Sequence, residues 1–220
     1  MKNGAKKGRK ARGKVIFAVS IIALILSFIF DKSISLFIAG SRSSLLTDIF
    51  LGLTFASQTI IIFFFLTSLF LWQERKKRWI LPLWITLFSS VAASFILKVI
   101  ARRARPFDLG IGAVPLALES SFSAWNSSFP SFQAMLAFSA LPILDKEFPK
   151  FRHVWIAIAS LIAFSRVYLG VHFLSDVIAG AIIGYFIGLI FLRLEQKKEF
   201  GRKIYYRIFR STLARFNLFR

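Results

Sequence analysis

The sequence predicts an all-α, polytopic membrane protein with six transmembrane helices, and three observations carry that expectation. Of 220 residues, 56% are apolar and 27 are Phe, with a mean hydropathy of +0.66, which is too apolar for a water-soluble domain of this size. The apolar residues gather in runs at about 15–30, 49–72, 79–101, 129–144, 154–169 and 171–192, and a helix crosses a bilayer with roughly 20 such residues. The net charge of +20 sits in the short segments between those runs. That placement argues against nucleic acid, which needs a basic patch on a soluble surface. The whole chain, 1–220, reads as a single membrane domain.

Taken in order, residues 1–14 (MKNGAKKGRKARGK) form a basic N-terminus. They resemble the positive part of a signal peptide, but no small-residue cleavage site follows Val15 to Phe30, so that run is read as a retained first span. Residues 33–48 read as a short interfacial helix. The runs at 49–72 and 79–101 give the second and third spans, joined by QERKKR. Phe107 to Ser128 is the longest outer loop, with Gly110, Gly112, Pro115 and five serines from Ser120 onward. The last three runs complete a core of six helices over 15–192. In the tail, 193–220, Phe200, Ile204, Ile208 and Phe216 recur at helical spacing among Arg202, Lys203, Arg207, Arg210 and Arg215. This pattern suits a basic amphipathic helix on an anionic inner leaflet, the alternative being a solvated charged tail. There is no cysteine, which excludes disulfides and thiol chemistry and leaves the compartment open.

Basic residues favour the cytoplasmic side of a span. With both termini cytoplasmic, 23 of the 30 Lys and Arg residues fall inside. The other seven are Lys32, Arg42, Lys98, Arg102, Arg103, Arg105 and Arg166, and five of those lie at the outer ends of the third and fifth spans. Positive charge there opposes the orientation rule and calls for an anionic ligand.

His172 and Asp176 are four residues apart, so on a helix they share a face. A carboxylate on one imidazole nitrogen fixes the tautomer and leaves the other nitrogen as nucleophile or base. A satisfied buried pair would show the same spacing. Ionisable groups at membrane depth are costly and usually functional, and Lys98, Arg105 and Arg166 fall at the same face as the pair. Three cations facing one histidine describe a phosphate pocket.

The segments KVIARRARP (Lys98 to Pro106) and SRVYLGVHFLSD (Ser165 to Asp176) match two of the three motifs of the phosphatidic acid phosphatase type 2 (PAP2) family, KxxxxxxRP and SRxxxxxHxxxD. The chain therefore resembles that family over about 90–190. The resemblance implies a PAP2-like helical bundle, a site facing the periplasm or exterior of a cytoplasmic membrane, and a phosphohistidine intermediate. Carried over residue by residue, it implies that His172 attacks phosphorus and Asp176 orients it, while Lys98, Arg105 and Arg166 hold the non-bridging oxygens. No metal is required, no ligand cluster for one is offered, and no cofactor is expected. Arg102 and Arg103 match no motif position. They are read as facing water, with contact to a larger head group as the alternative.

The second motif, PSGH, is where the chain departs. FPSFQAM keeps Pro130 and Ser131 but places Phe132 at the glycine and Gln133 at the histidine that, in the family, protonates the leaving alkoxide. A glutamine amide has no titratable proton near neutral pH. His153 lies 13 residues from Arg166, roughly 20 Å along a helix, and cannot substitute. Ser131, the amides beside it and Gln133 are still expected to donate hydrogen bonds to phosphate. A native glutamine points to a diphosphate, whose leaving group needs no proton, while an engineered one would mark a disabled chain. The expected function is hydrolysis of a lipid phosphate monoester or diphosphate, with phosphatidic acid, phosphatidylglycerol phosphate, lipid A phosphates and polyprenyl diphosphates as candidates. The alternative is an impaired or non-catalytic lipid-phosphate binding protein on the same fold. A transporter is disfavoured because the ionisable residues gather at one face.

Overall fold

The computed structural model describes residues 2–111 and 127–217, with side-chain environments for Val15, 18–111 and 127–208. Most of the predicted outer loop therefore lies outside the described residues, apart from a 3₁₀ turn at Phe107–Leu109. Eight α-helices are described: α1 Lys2–Gly40, α2 Ser44–Ala56, α3 Thr59–Leu71, α4 Ile80–Ala101, α5 Phe132–Glu147, α6 Arg152–Tyr168, α7 Leu174–Lys198 and α8 Phe200–Asn217. No strand occurs among the described residues.

Three of these helices are long and apolar enough to cross a membrane, or four if α2 and α3 form one span bent by 66°. At 16 and 17 residues, α5 and α6 are shorter than the roughly 20 residues of an independent span. Large apolar side chains such as Phe37, Phe64, Trp72 and Ile100 are exposed. A surface this apolar belongs against lipid, and the protein is a membrane protein.

Two expectations are corrected. Residues 33–40 are the last turns of α1, not part of a separate interfacial helix, because nothing between Phe30 and Gly40 breaks the helix. Asp31, just past the predicted end of the first span, is buried and hydrogen-bonded inside the fold. Residues 44–48 open α2, which Ser43 caps by accepting from the Leu46 amide. The run at 49–72 is also not one straight span. The Ser57 amide bonds to Leu53 O, and its hydroxyl bonds to Thr54 O at 3.0 Å. These bonds close α2, and Gln58 turns the chain with extended backbone. At the other end of the chain, α7 runs six residues past the predicted boundary to Lys198, and Glu199, in the left-handed region at φ 50°, separates it from α8. The buried Glu195 carboxylate accepts from the Gly201 and Arg202 amides at 2.8 and 3.2 Å, which satisfies donors that a helix start leaves free.

The centre is α5 against α7, the most extensively packed pair, with α4 and α6 flanking α5 and with α1 and α4 flanking α7. Ten of the 16 residues of α5 are buried, so this helix is enclosed on nearly every side, as expected of one without a polar face. α7 approaches it along Gly180, Gly184 and Gly188. A Cβ on these residues would lie 2.6 Å from Ser131 O, 2.1 Å from Met135 O and 2.2 Å from Ser139 O. Lipid gives helices no hydrophobic reason to associate, so such backbone contact is a main source of cohesion. Along α4, Thr86, Ser90, Ser94 and Lys98 recur every four residues and are all buried. The Thr86 and Ser90 hydroxyls bond back to the carbonyls of Pro82 and Thr86 at 2.7 and 3.0 Å. This small polar face lets α4 seat against the centre and ends on the Lys98 ammonium.

Gly184→Val tests the α5–α7 contact. The added side chain meets α5 backbone, which cannot yield locally, so thermal unfolding in detergent should show a loss of about 1–3 kcal/mol. An unchanged midpoint would contradict the close packing.

Candidate active site

The site forms where α4 ends and where α5 and α7 begin. Arg102 turns the chain out of α4 in the left-handed region at φ 46°. The returning segment pairs with the next residue: the Arg103 amide donates to Ser127 Oγ, and the Ser128 amide donates to Arg103 O, both at 2.8 Å. Lys98 donates to the Ser127 carbonyl. The chain then passes into α5 through Ser131, whose amide donates to Asp176 O at 2.9 Å. After α6, Gly170 at φ 72° permits a tight reversal, and the amides of Val171 and His172 both reach back to Arg166 O at 3.2 Å.

These turns bring His172, Asp176, Lys98, Arg105, Arg166 and Ser131 into one region, all buried. The His172 Nδ1 lies 2.7 Å from the Ser128 carbonyl. A carbonyl only accepts, so Nδ1 carries the proton and Nε2 is left as the bare nitrogen. Burial, opposed by Asp176 and assisted by Arg105 and Lys98, lowers the pKa of His172 to about 3. The imidazole in the loop between α6 and α7 is therefore neutral.

Asp176 is placed differently from expectation. Its Oδ2 is 3.8 Å from Nδ1, beyond a hydrogen bond, and the carbonyl of Ser128 takes the position assigned to it. Asp176 instead accepts from the Ser128 hydroxyl, from the Phe173 amide at 2.8 Å and from Arg103 at 2.7 Å. It holds the residue that holds the histidine. Arg105 Nη1 donates to Val171 O at 2.6 Å, and its amide donates to Asp108 at 2.9 Å. Arg166 Nη1 donates to Thr54 Oγ1 at 3.0 Å, while its Nε and the Ser131 hydroxyl are buried with no hydrogen-bond partner among the described residues. Because the Ser131 amide is committed to Asp176, only its hydroxyl remains for a ligand. Gln133 lies on the first turn of α5, half-buried. His153 sits in the first turn of α6 and Arg166 in its last, so it stands at the far end of the helix.

Sequence reasoning missed Asp31, Ser128, Thr54 and Arg103. Arg103 is only part-exposed and is not simply solvated. It bridges Asp31 and Asp176, at 2.7 Å from each, because its side chain turns inward between Phe28 and Phe173. The available signal was Asp31 itself, an acid within the apolar surroundings of the first span. Among the described residues, no group of three His, Asp or Glu side chains is placed to hold a metal ion.

A family model described as "PAP2 superfamily" matches residues 79–200. The chain belongs to the PAP2 superfamily. It is 36% identical over 120 residues to phosphatidylglycerophosphatase B of Bacillus subtilis (strain 168), covering 49% of this chain and 54% of that protein. It is 28% identical over 130 residues to an undecaprenyl-diphosphatase of Sulfolobus acidocaldarius, covering 59% of this chain and 61% of that protein. The matches thus span about half to three-fifths of the curated relatives. In fold, it is similar to the crystal structure of a transmembrane PAP2 type phosphatidylglycerolphosphate phosphatase from Bacillus subtilis, with a TM-score of 0.64 at 23% identity over 82% of this chain and 96% of that one. Aquifex aeolicus LpxE gives a TM-score of 0.60 at 26% identity over 74% and 95%. The matched segment, 79–200, contains Lys98, Arg105, Ser131, Gln133, Arg166, His172 and Asp176 and leaves out Asp31 and Thr54.

Proposed function

We propose that this PAP2 protein hydrolyses the phosphate of a membrane lipid through a phosphohistidine. The observation that carries the proposal is the buried His172, whose Nδ1 lies 2.7 Å from Ser128 O, in one region with Lys98, Arg105 and Arg166. In the first step, His172 Nε2 attacks phosphorus, the Nε2–P bond forms as the P–O bond breaks, and the leaving group departs with the electron pair. In the second step, water attacks phosphorus and releases inorganic phosphate and free imidazole. Phosphoryl transfer is mostly positioning and charge stabilisation. Arg105 and Arg166 supply paired donors, and Lys98 supplies a point charge. Arg166 Nε and the Ser131 hydroxyl, which have no partner among the described residues, suit two phosphate oxygens, since buried polar atoms generally find partners.

Gln133 selects the substrate class. An alkoxide, with a conjugate acid near the pKa of water at about 15.7, needs a proton donor. A phosphate ester leaving a diphosphate, with a pKa of about 6, does not. The proposed substrate is therefore a lipid diphosphate, which agrees in kind with the name of the Sulfolobus relative. The second reading, a binding protein with little turnover, rests on the same glutamine. The core is proposed to span the cytoplasmic membrane six times, with α2 and α3 as one bent span and both termini inside. The site faces outward, and the basic α8 lies on the inner leaflet.

Phosphate release from a panel of lipid phosphates, compared with Gln133→His, tests the substrate class. The variant should raise alkyl-phosphate hydrolysis by about 10² or more, the usual worth of a general acid, and change diphosphate cleavage much less. Equal gains on both would contradict the leaving-group account. No gain on either would mean that Phe132, which packs into the core beside Leu136, keeps position 133 away from the leaving group. Topology is checked by single cysteines. One within 107–128 should react with an impermeant thiol reagent from outside, and one within 73–78 should not; the reverse would overturn the orientation.

A further inference from the structure

The bridge Asp31–Arg103–Asp176 joins three parts of the chain that share no local structure. Asp31 is in α1, Arg103 follows α4, and Asp176 is in the first turn of α7. Neither Asp31 nor Arg103 is a defining position of the three sequence motifs. Asp31 accepts from the Ser175 amide at 3.0 Å and from the Ser175 hydroxyl. It therefore caps, from another helix, a donor that the start of α7 leaves free. Both carboxylates thus sit at the positive end of the α7 dipole. Arg103 Nη2 meets Asp31 and Nη1 meets Asp176, with Nη1 also donating to Ser175 Oγ at 2.6 Å. The Phe28 and Phe173 rings face the guanidinium, with centroids 5.1 and 4.4 Å from its carbon.

The Arg103 side chain bonds to neither His172 nor the three phosphate-facing cations. It instead holds both groups on which the histidine depends. Its guanidinium binds Asp176, and its carbonyl accepts from the Ser128 amide at 2.8 Å. Ser128 in turn donates its hydroxyl to Asp176 and offers its carbonyl to His172 Nδ1. With one Asp176 oxygen on Arg103 and the other on Ser128 and Phe173, the carboxylate cannot rotate. Asp31 draws part of the Arg103 charge away from Asp176 and leaves that carboxylate more negative toward the imidazole. When Nε2 bonds to phosphorus, positive charge develops on the ring, and this environment is already oriented to receive it.

We infer that Arg103 and Asp31 are positioning residues that fix the tautomer and basicity of His172 through Ser128 and Asp176. The inference rests on His172 being the nucleophile of the proposed reaction.

The chain has two histidines, so its imidazole nitrogens can be resolved by ¹⁵N NMR of histidine-labelled protein in lipid nanodiscs, with His153→Gln giving the assignment. The wild type should show His172 neutral and protonated on Nδ1. Arg103→Gln and the isosteric Asp31→Asn should shift the His172 nitrogens toward a mixture of tautomers and leave those of His153 unmoved. In the same preparations, hydrolysis of a lipid diphosphate should lose about tenfold or more in kcat, as when outer-shell partners of other sites are removed. KM should stay within about twofold, since a group felt only in the transition state leaves ground-state binding alone. Arg103→Lys, which keeps the charge, should recover part of the loss. If Arg103→Gln fails to fold, Asp31→Asn carries the test, because its amide oxygen can still accept from Ser175. Unchanged His172 resonances in both variants, or a full kcat in either, would overturn the inference. Absence of phosphate release by the wild type would defeat the functional proposal alone, and the His172 resonances would still decide whether the bridge orients the ring.

Discussion

Direct backbone contact between α5 and α7 is the constraint from which the site follows. Three glycines at every fourth position of α7 bring that helix onto the carbonyls of Ser131, Met135 and Ser139. This approach puts the Ser131 amide on the Asp176 carbonyl and registers the start of one helix against the start of the other. Ser128 lies just ahead of α5, His172 just ahead of α7, and Asp176 in the first turn of α7, so all three are placed by that register. Were α7 to stand off by the width of a side chain, the Ser128 carbonyl would lose its hold on the imidazole. The contact carries this weight because apolar side chains gain nothing by leaving lipid for one another.

The second constraint is electrostatic. Lys98, Arg105 and Arg166 are gathered in a buried region, where like charges repel and each loses hydration. Among the described residues, their hydrogen-bond acceptors include the carbonyls of Ser127 and Val171 and the Thr54 hydroxyl, which are neutral groups. The two buried carboxylates, Asp31 and Asp176, are both paired with Arg103, and Asp176 also lies near enough to attract Lys98 and Arg105. On the proposed reading, an anion with several oxygens, such as a phosphate, is the ligand that Lys98, Arg105 and Arg166 receive.

Much of this was legible in the sequence, for identifiable reasons. Long apolar runs between basic segments gave the helical class, and α4, α5 and α6 begin and end within a few residues of the apolar boundaries. His172 and Asp176 stood out by their four-residue spacing and Lys98, Arg105 and Arg166 as cations at one face, and the resemblance to two PAP2 motifs supplied the role expected of each; the structure buries all five. The break after Ala56 was not legible, since Ser57 and Gln58 are ordinary within an apolar run until their bonds are seen. Nor was the continuation of α1, because Asp31 reads as a polar boundary unless its partners, 72 residues on at Arg103 and 144 on at Ser175, are known. The contacts of Arg103 and Ser128 join distant segments, which no local periodicity records. His172 was paired with Asp176 from their spacing alone, and the nearer acceptor is a main-chain carbonyl that carries no sequence signature.

The central claim is that His172 becomes covalently phosphorylated during turnover. It is tested most directly by mixing the full chain in nanodiscs with a lipid diphosphate labelled on its terminal phosphate, quenching rapidly in base, where a phosphoramidate survives, and locating the label by peptide mass spectrometry. The account predicts label on His172, its appearance before free phosphate and its disappearance on further incubation. Release of phosphate with no label on His172 at any time, or with label on His153, would contradict it.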